Sequence, residues 1–295
     1  MGLLRAVVLG IVQGVTEFLP ISSTAHLRIV PELLGWPDAG AAYTAIIQLG
    51  TVAAVIVYFW RDLVRLTRAF LTGLWRKEPF GTLDARLAWY VLVGTLPIAI
   101  LGLLFKHHIE TSLRSLYVIA LAMVGLALLL LLAERVAAHR RTLSEMTWRD
   151  GIIIGLCQAV ALIPGSSRSG TTLTGGLALG FRREDAARYS FLLSVPATTA
   201  AGLFEMRHLV RTGEPFNGMD VVVGTAVAFV TGILAIAWLL RFLRTRSTLV
   251  FVVYRLLLGG LLLFLLQTGR LSATPESAAT PPAGAAVSTP GPSGE

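Results

Sequence analysis

Apolar residues gather in blocks of about twenty along the chain, and polar residues collect between the blocks. Blocks of this length lie at about 41–60, 87–106, 115–134, 187–205, 219–240 and 248–267. About twenty helical residues are needed to cross the hydrocarbon layer of a bilayer, so the pattern predicts six membrane-spanning helices. Segments 3–34 and 150–180 depart from it. Each is a pair of short apolar pieces interrupted by Pro and a Ser/Thr cluster, and neither piece is long enough to cross alone. Broken backbone at membrane depth persists only where protein or a watered cavity satisfies its polar groups. Both segments are therefore predicted to be re-entrant helical hairpins, entering and leaving on one face. The fold class expected is an all-α integral membrane protein.

The two broken segments resemble each other. The first reads Gly10-Ile-Val-Gln13-Gly-Val-Thr-Glu17-Phe-Leu-Pro20-Ile-Ser22-Ser23-Thr24-Ala-His26. The second reads Gly155-Leu-Cys-Gln158-Ala-Val-Ala-Leu-Ile-Pro164-Gly-Ser166-Ser167-Arg168-Ser169-Gly-Thr171-Thr172. Weaker likenesses follow each, around Val93–Gly102 and Val230–Leu239, and around Leu116–Gly125 and Phe251–Gly260. One hairpin and three spans per half is an odd number of crossings, so the second half is expected upside down relative to the first. That is an inverted-topology repeat, whose broken segments meet near the midplane. The first repeat covers about 1–135 and the second about 148–267, within a membrane domain of 1–270. The tail, 271–295, is rich in Ala, Pro, Ser, Thr and Gly and is expected to be disordered.

Composition agrees with a membrane protein. Of 295 residues, 55% are hydrophobic and 14% charged, and the mean hydropathy is +0.72; a soluble domain is about a quarter charged. The net charge of +8 is topological information rather than a sign of nucleic acid. Its cations concentrate in the loops at 61–86, 135–149, 182–188 and 241–246, which the span map puts on one side. Arg5, Arg28, Lys106, Arg114, Arg207, Arg211 and Arg270 fall on the other. The positive-inside rule makes the first side cytoplasmic and both termini external. The first hairpin then enters from outside and the second from the cytoplasm. The first twenty residues look superficially like a signal peptide, but Gln13 and Glu17 interrupt the apolar run and the pattern recurs internally, so cleavage is not expected. The single cysteine, Cys157, excludes an intrachain disulfide and reads as a packing residue.

Candidate chemistry divides between the two motifs. Glu17 is a carboxylate in an apolar helix, a costly placement at membrane depth, with Gln13 one turn before it on the same face. Ser23 and His26 share a face if the piece after Pro20 is helical, which would let the imidazole take the hydroxyl proton. Ser22 or Ser23 also suits a helix N-cap. In the second motif small residues admit backbone amides to a ligand, Ser167, Ser169 and Thr172 add hydroxyls, and Arg168 supplies a fork suited to phosphate oxygens. A helix starting just after would aim its amides at the same anion. Glu184 and Asp185, among Arg182, Arg183 and Arg188, read as a solvated cytoplasmic cluster. His107, His108 and His139 show no metal-binding spacing. Arg255, inside the last span, is expected either to pair with Glu205 or to line a cavity.

Gln13-Gly-Val-Thr-Glu17 resembles an (E/Q)xxxE motif, Ser22-Ser23-Thr24-Ala-His26 an SSTxH segment, and Pro164-Gly-Ser-Ser-Arg168-Ser-Gly-Thr-Thr172 a PGxSRSxxT motif. Together they resemble the undecaprenyl-diphosphate phosphatases, the bacitracin-resistance protein family, over about residues 1–267. The resemblance implies a hydrolase of the bacterial cytoplasmic membrane that converts undecaprenyl diphosphate to the monophosphate carrier of peptidoglycan synthesis. Its partners would be that lipid and the surrounding membrane lipids, with bacitracin competing for the substrate rather than binding the protein. No nucleic acid is implied, and a homodimer is left open. The implied cofactor is a divalent cation, Mg2+ or Ca2+, held by Gln13 and Glu17. Gln13 stands where many relatives carry Glu, which leaves one fewer carboxylate for it. On this reading Glu17, Ser23, His26 and Arg168 are catalytic, and Ser167, Arg168, Ser169 and Thr172 hold phosphate. Ser23 attacking phosphorus and water activated by His26 or Glu17 both remain open. A polyprenyl-phosphate transporter using the same clamp is the rival, and the acid/base set confined to one half speaks for the enzyme.

Overall fold

The computed structural model describes residues 2–110, 113, 115–212 and 218–271. The tail expected to be disordered falls, from 272 onward, outside the described residues. Among those described there are twelve α-helices and no extended strand. They are α1 (Leu3–Phe18), α2 (Ser23–Leu33), α3 (Gly40–Tyr58), α4 (Trp60–Trp75), α5 (Leu83–Leu104), α6 (Lys106–Glu110), α7 (Leu116–Val136), α8 (Trp148–Val160), α9 (Arg168–Ala178), α10 (Arg183–Thr212), α11 (Gly218–Thr245) and α12 (Leu249–Gln267). Local chemistry sets their limits. Thr82 caps α5 by accepting from the Ala85 amide, and Thr147 and Asp150 form a reciprocal capping box at the start of α8. Residue Leu19, ahead of Pro20, is extended, as the clash with a following proline ring requires, so α1 stops there.

Both broken segments are present as paired short helices. Helices α1 and α2 have 16 and 11 residues, α8 and α9 have 13 and 11, and within each pair the helices pack on one another. Among the described residues four helices, α5, α7, α11 and α12, are long and apolar enough to cross a membrane. Helices α3 and α4 together make a fifth, but they are bent by 74° at Phe59. The block at 187–205 lies inside the 30-residue α10, whose charged ends and polar centre leave it less apolar than the others. Helix α4 is an addition to the sequence reading, which treated those cations as loop.

Glycines permit the closest helix contacts. Gly10 and Gly14 of α1 press against Gly224, Ala228 and Gly232 of α11, and Gly155 of α8 presses against Gly94 of α5. Each hairpin thus packs on a span from the other half of the chain, while α3 meets α10 and α7 meets α12.

One correction concerns Arg182–Arg188, expected as a solvated cluster. Arg183 instead makes two hydrogen bonds to the buried carboxylate of Glu134 on α7. Arg188 pairs with Asp62 of α4 at 2.7 Å, and Glu184 with Arg244 of α11 at 2.7 Å. The start of α10 is therefore fastened to three other helices, which a run of charge in one sequence segment does not reveal.

Candidate active site

The two hairpin breaks are built alike. Ser22 and Ser167 are the N-caps of α2 and α9, and both have left-handed backbone, with φ of 74° and 70°. Each side chain accepts a hydrogen bond from the amide three residues on, Ala25 and Gly170. A left-handed conformation costs a non-glycine residue on the order of 1–3 kcal/mol and marks functional sites. This pairing gives the register of the motifs. Ser23 matches Arg168, His26 matches Thr171, and Gln13 matches Gln158, whereas Glu17 is matched by Leu162. Ser23 and Arg168 thus occupy equivalent first turns of two different helices.

The second hairpin meets the first at Glu17. Its carboxylate accepts from Arg168 Nη2 at 3.0 Å on one oxygen, and from Ser23 Oγ at 2.7 Å and Gln13 Nε2 at 3.1 Å on the other. Gln13 also reaches Thr51 of α3. All of this is shielded, with Glu17 7% and Gln13 2% exposed, so the ion pair acts in a medium that weakens it far less than water would. The Arg168 Nε and Nη1 atoms are buried with no hydrogen-bond partner, and so is Ser166 Oγ. Buried guanidinium nitrogens without an acceptor are costly, and an anion is a partner that unpaired guanidinium N–H groups beside a helix N-terminus would take.

Each other expected residue has a definite place. His26 directs Nδ1 to the Ser22 carbonyl at 2.7 Å and Nε2 to the Tyr254 hydroxyl, and its ring stacks on Tyr254 at 5.6 Å. A carbonyl can only accept, so the imidazole proton sits on Nδ1 and Nε2 is the basic nitrogen. Ser23 therefore turns to Glu17, and the expected Ser23–His26 hydrogen bond gives way to these contacts. Ser167 meets Ser169, which donates to the Leu19 carbonyl at 2.9 Å and so stitches α9 to the end of α1. Thr172 is fully buried, donating to the Arg168 carbonyl and meeting Ser190 of α10. It braces the turn that carries Arg168.

Arg255 neither lines a cavity nor needs a carboxylate. It is 0% exposed, and its five N–H groups reach five backbone carbonyls. Nε donates to Met123, Nη1 to Pro20 and Ser166, and Nη2 to Ala122 and Gly165. One side chain from α12 thus holds the breaks of both hairpins against α7. The signal for Arg255 was a lone cation in an apolar span; for Tyr254 and Thr51 there was none, because tyrosine and threonine are ordinary in such helices. Cys157 packs beside Gly175, as a packing residue should.

Among the described residues no three His, Cys, Asp or Glu side chains come together as metal ligands. Glu17, the Gln13 amide and the Ser23 hydroxyl still form a hard-oxygen set of the kind that holds a divalent cation when a phosphate completes the shell.

Fold and site together define an all-helical membrane protein with a shielded charged centre, Glu17 with Arg168, between two broken helices. The family model described as "Bacitracin resistance protein BacA" matches residues 6–261, and the chain belongs to this family. A Myxococcus xanthus protein named undecaprenyl-diphosphatase is 68% identical over 92% of each chain. Relatives of the same name from Chlorobium limicola and Chlorobium phaeovibrioides are 52% and 53% identical, over 93% and 92% of this chain and 100% and 99% of theirs.

Proposed function

We propose that this protein is an undecaprenyl-diphosphate phosphatase, hydrolysing the terminal phosphate of the diphosphate lipid to give the monophosphate carrier and inorganic phosphate. The observation that carries the chemistry is Glu17 lying between the Ser23 hydroxyl and an arginine that has two unpartnered nitrogens. Arg168, with the first amides of α9, clamps the terminal phosphate and stabilises the charge that develops as it transfers. Ser23 Oγ attacks phosphorus while Glu17 takes its proton, and the bond to the bridging oxygen breaks, releasing the lipid monophosphate. Water then cleaves the phosphoserine, with His26 Nε2 as the basic group once Tyr254 yields it. Gln13, Glu17 and Ser23 would hold a divalent cation together with substrate oxygens, and such a cation neutralises phosphate charge when bound.

The frame proposed is an inverted repeat in the cytoplasmic membrane, with both termini external and the Ser23 hairpin opening outward. The matched Ser22 and Ser167 caps support it, as does the exchange of partners, α1 on α11 and α8 on α5. The orientation rests on the cation bias of the loops.

The nucleophile is tested by acid-quenching the purified protein with substrate labelled in its terminal phosphate. Label on Ser23 is the expected result, and a Ser23→Ala protein turning over near the normal rate would remove Ser23 from this role.

A further inference from the structure

Helix α4 has a buried side, an uncovered apolar side and a basic side. At 100° per residue, Asp62, Leu66, Ala69 and Gly73 fall together, and Leu66 and Gly73 are buried against the protein. The opposite sector carries Trp60, Val64, Leu71 and Trp75, with Leu63, Phe70 and Leu74 between the two. It is largely uncovered, with Trp60 60%, Leu71 58% and Trp75 89% exposed. The third carries Arg61, Arg65 and Arg68, and Arg76 at the C-cap continues it. Arg65 is held by Asp62 and Asp84. Arg61, Arg68, Arg76 and the adjacent Lys77 are exposed and make no ion pair among the described residues.

The 74° bend at Phe59 turns α4 away from the direction of α3, so its uncovered stripe does not continue a span. A helix with an apolar stripe, tryptophans at both ends and a basic flank lies in the bilayer interface, its stripe among acyl chains and its cations among headgroups. Four unpaired cations on one flank select the sign of the headgroup. We propose that α4 is an interfacial binding site for anionic phospholipids, with Arg61, Arg68, Arg76 and Lys77 gathering their headgroups and Trp60, Leu71 and Trp75 seated in their chains. This site is separate from the diphosphate centre and does not depend on the phosphatase reading.

The test uses the purified full chain in phosphatidylcholine vesicles with a minor share of acyl-brominated lipid, either phosphatidylglycerol or phosphatidylcholine. The signal is the tryptophan quenching lost in a Trp60→Phe/Trp75→Phe variant. Attraction of about 1 kcal/mol, that of a single cation near an anionic surface, corresponds to about fivefold enrichment, so brominated phosphatidylglycerol should quench this signal several-fold more strongly. The preference should vanish in an Arg61→Gln/Arg68→Gln/Arg76→Gln/Lys77→Gln variant, whose circular dichroism and thermal transition verify its fold. It should persist in Arg168→Ala. Equal quenching by the two lipids, quenching by neither, or a preference that survives the four glutamines would overturn the proposal. Loss of the preference in Arg168→Ala would overturn it too, since the signal would then come from the diphosphate centre.

Discussion

Glu17 illustrates how much of the site a single residue organises. A carboxylate at this depth is tolerable because Arg168 neutralises it and two further donors satisfy its oxygens. Its costly position was legible in the sequence, as was the arginine; their direct contact was not, since 151 positions separate them. Arg255 shows the same limit more sharply. The sequence presents a lone cation in a span and invites a search for a carboxylate, whereas the guanidinium donates to three carbonyls at the hairpin breaks, Pro20, Gly165 and Ser166, and to two of α7, Ala122 and Met123. Three carbonyls left free at the breaks cannot be foreseen without knowing where two helices stop. Lysine at this position offers only three donors, so Arg255→Lys gives up at least two of these five bonds. At about 1.5–3 kcal/mol for each bond from a charged donor, the thermal transition in detergent should fall markedly. An unchanged transition would mean that Arg255 does not hold the breaks.

At the scale of elements, periodicity and breakers located nearly every helix that positions the site. Pro20 ended α1, the serine clusters began α2 and α9, and four of the six long apolar runs became helices long and apolar enough to span. Helix α4 escaped because its three sectors mix tryptophan, leucine and arginine in one sequence stretch, which reads as a charged loop unless the helical period is applied. The hairpins' seats escaped too, because glycines in apolar helices are common and only contact reveals which are needed. Gly14 can be distinguished now. A Cβ there would run into the Thr231 hydroxyl and the backbone of Ala228 and Gly232, whereas one at Gly125 would meet nothing within 4 Å. Gly14→Ala should destabilise by about 1–3 kcal/mol through overpacking, while Gly125→Ala should leave the transition unchanged or slightly raised. Thermal melts of the two variants in one detergent check this, and equal melts would contradict the seating of α1 on α11.

For the whole molecule, the exchange of hairpins between halves explains why neither half could form the centre alone. Glu17, Ser23 and His26 come from one hairpin, Arg168 from the other, and the fold brings the two breaks to one place. The proposed orientation follows from loop cations, and a reporter that matures only outside the cytoplasm, fused after Gln267, should be active; inactivity would invert the topology. The central claim is that the Glu17–Arg168 centre hydrolyses a diphosphate lipid. Phosphate release from undecaprenyl diphosphate by the purified protein, compared with Arg168→Ala, tests it most directly. The account predicts release by the unmodified protein and a loss of about a hundredfold, on the order of 3 kcal/mol of transition-state stabilisation, in the variant. No release by the unmodified protein, or full activity in a folded Arg168→Ala, would contradict it.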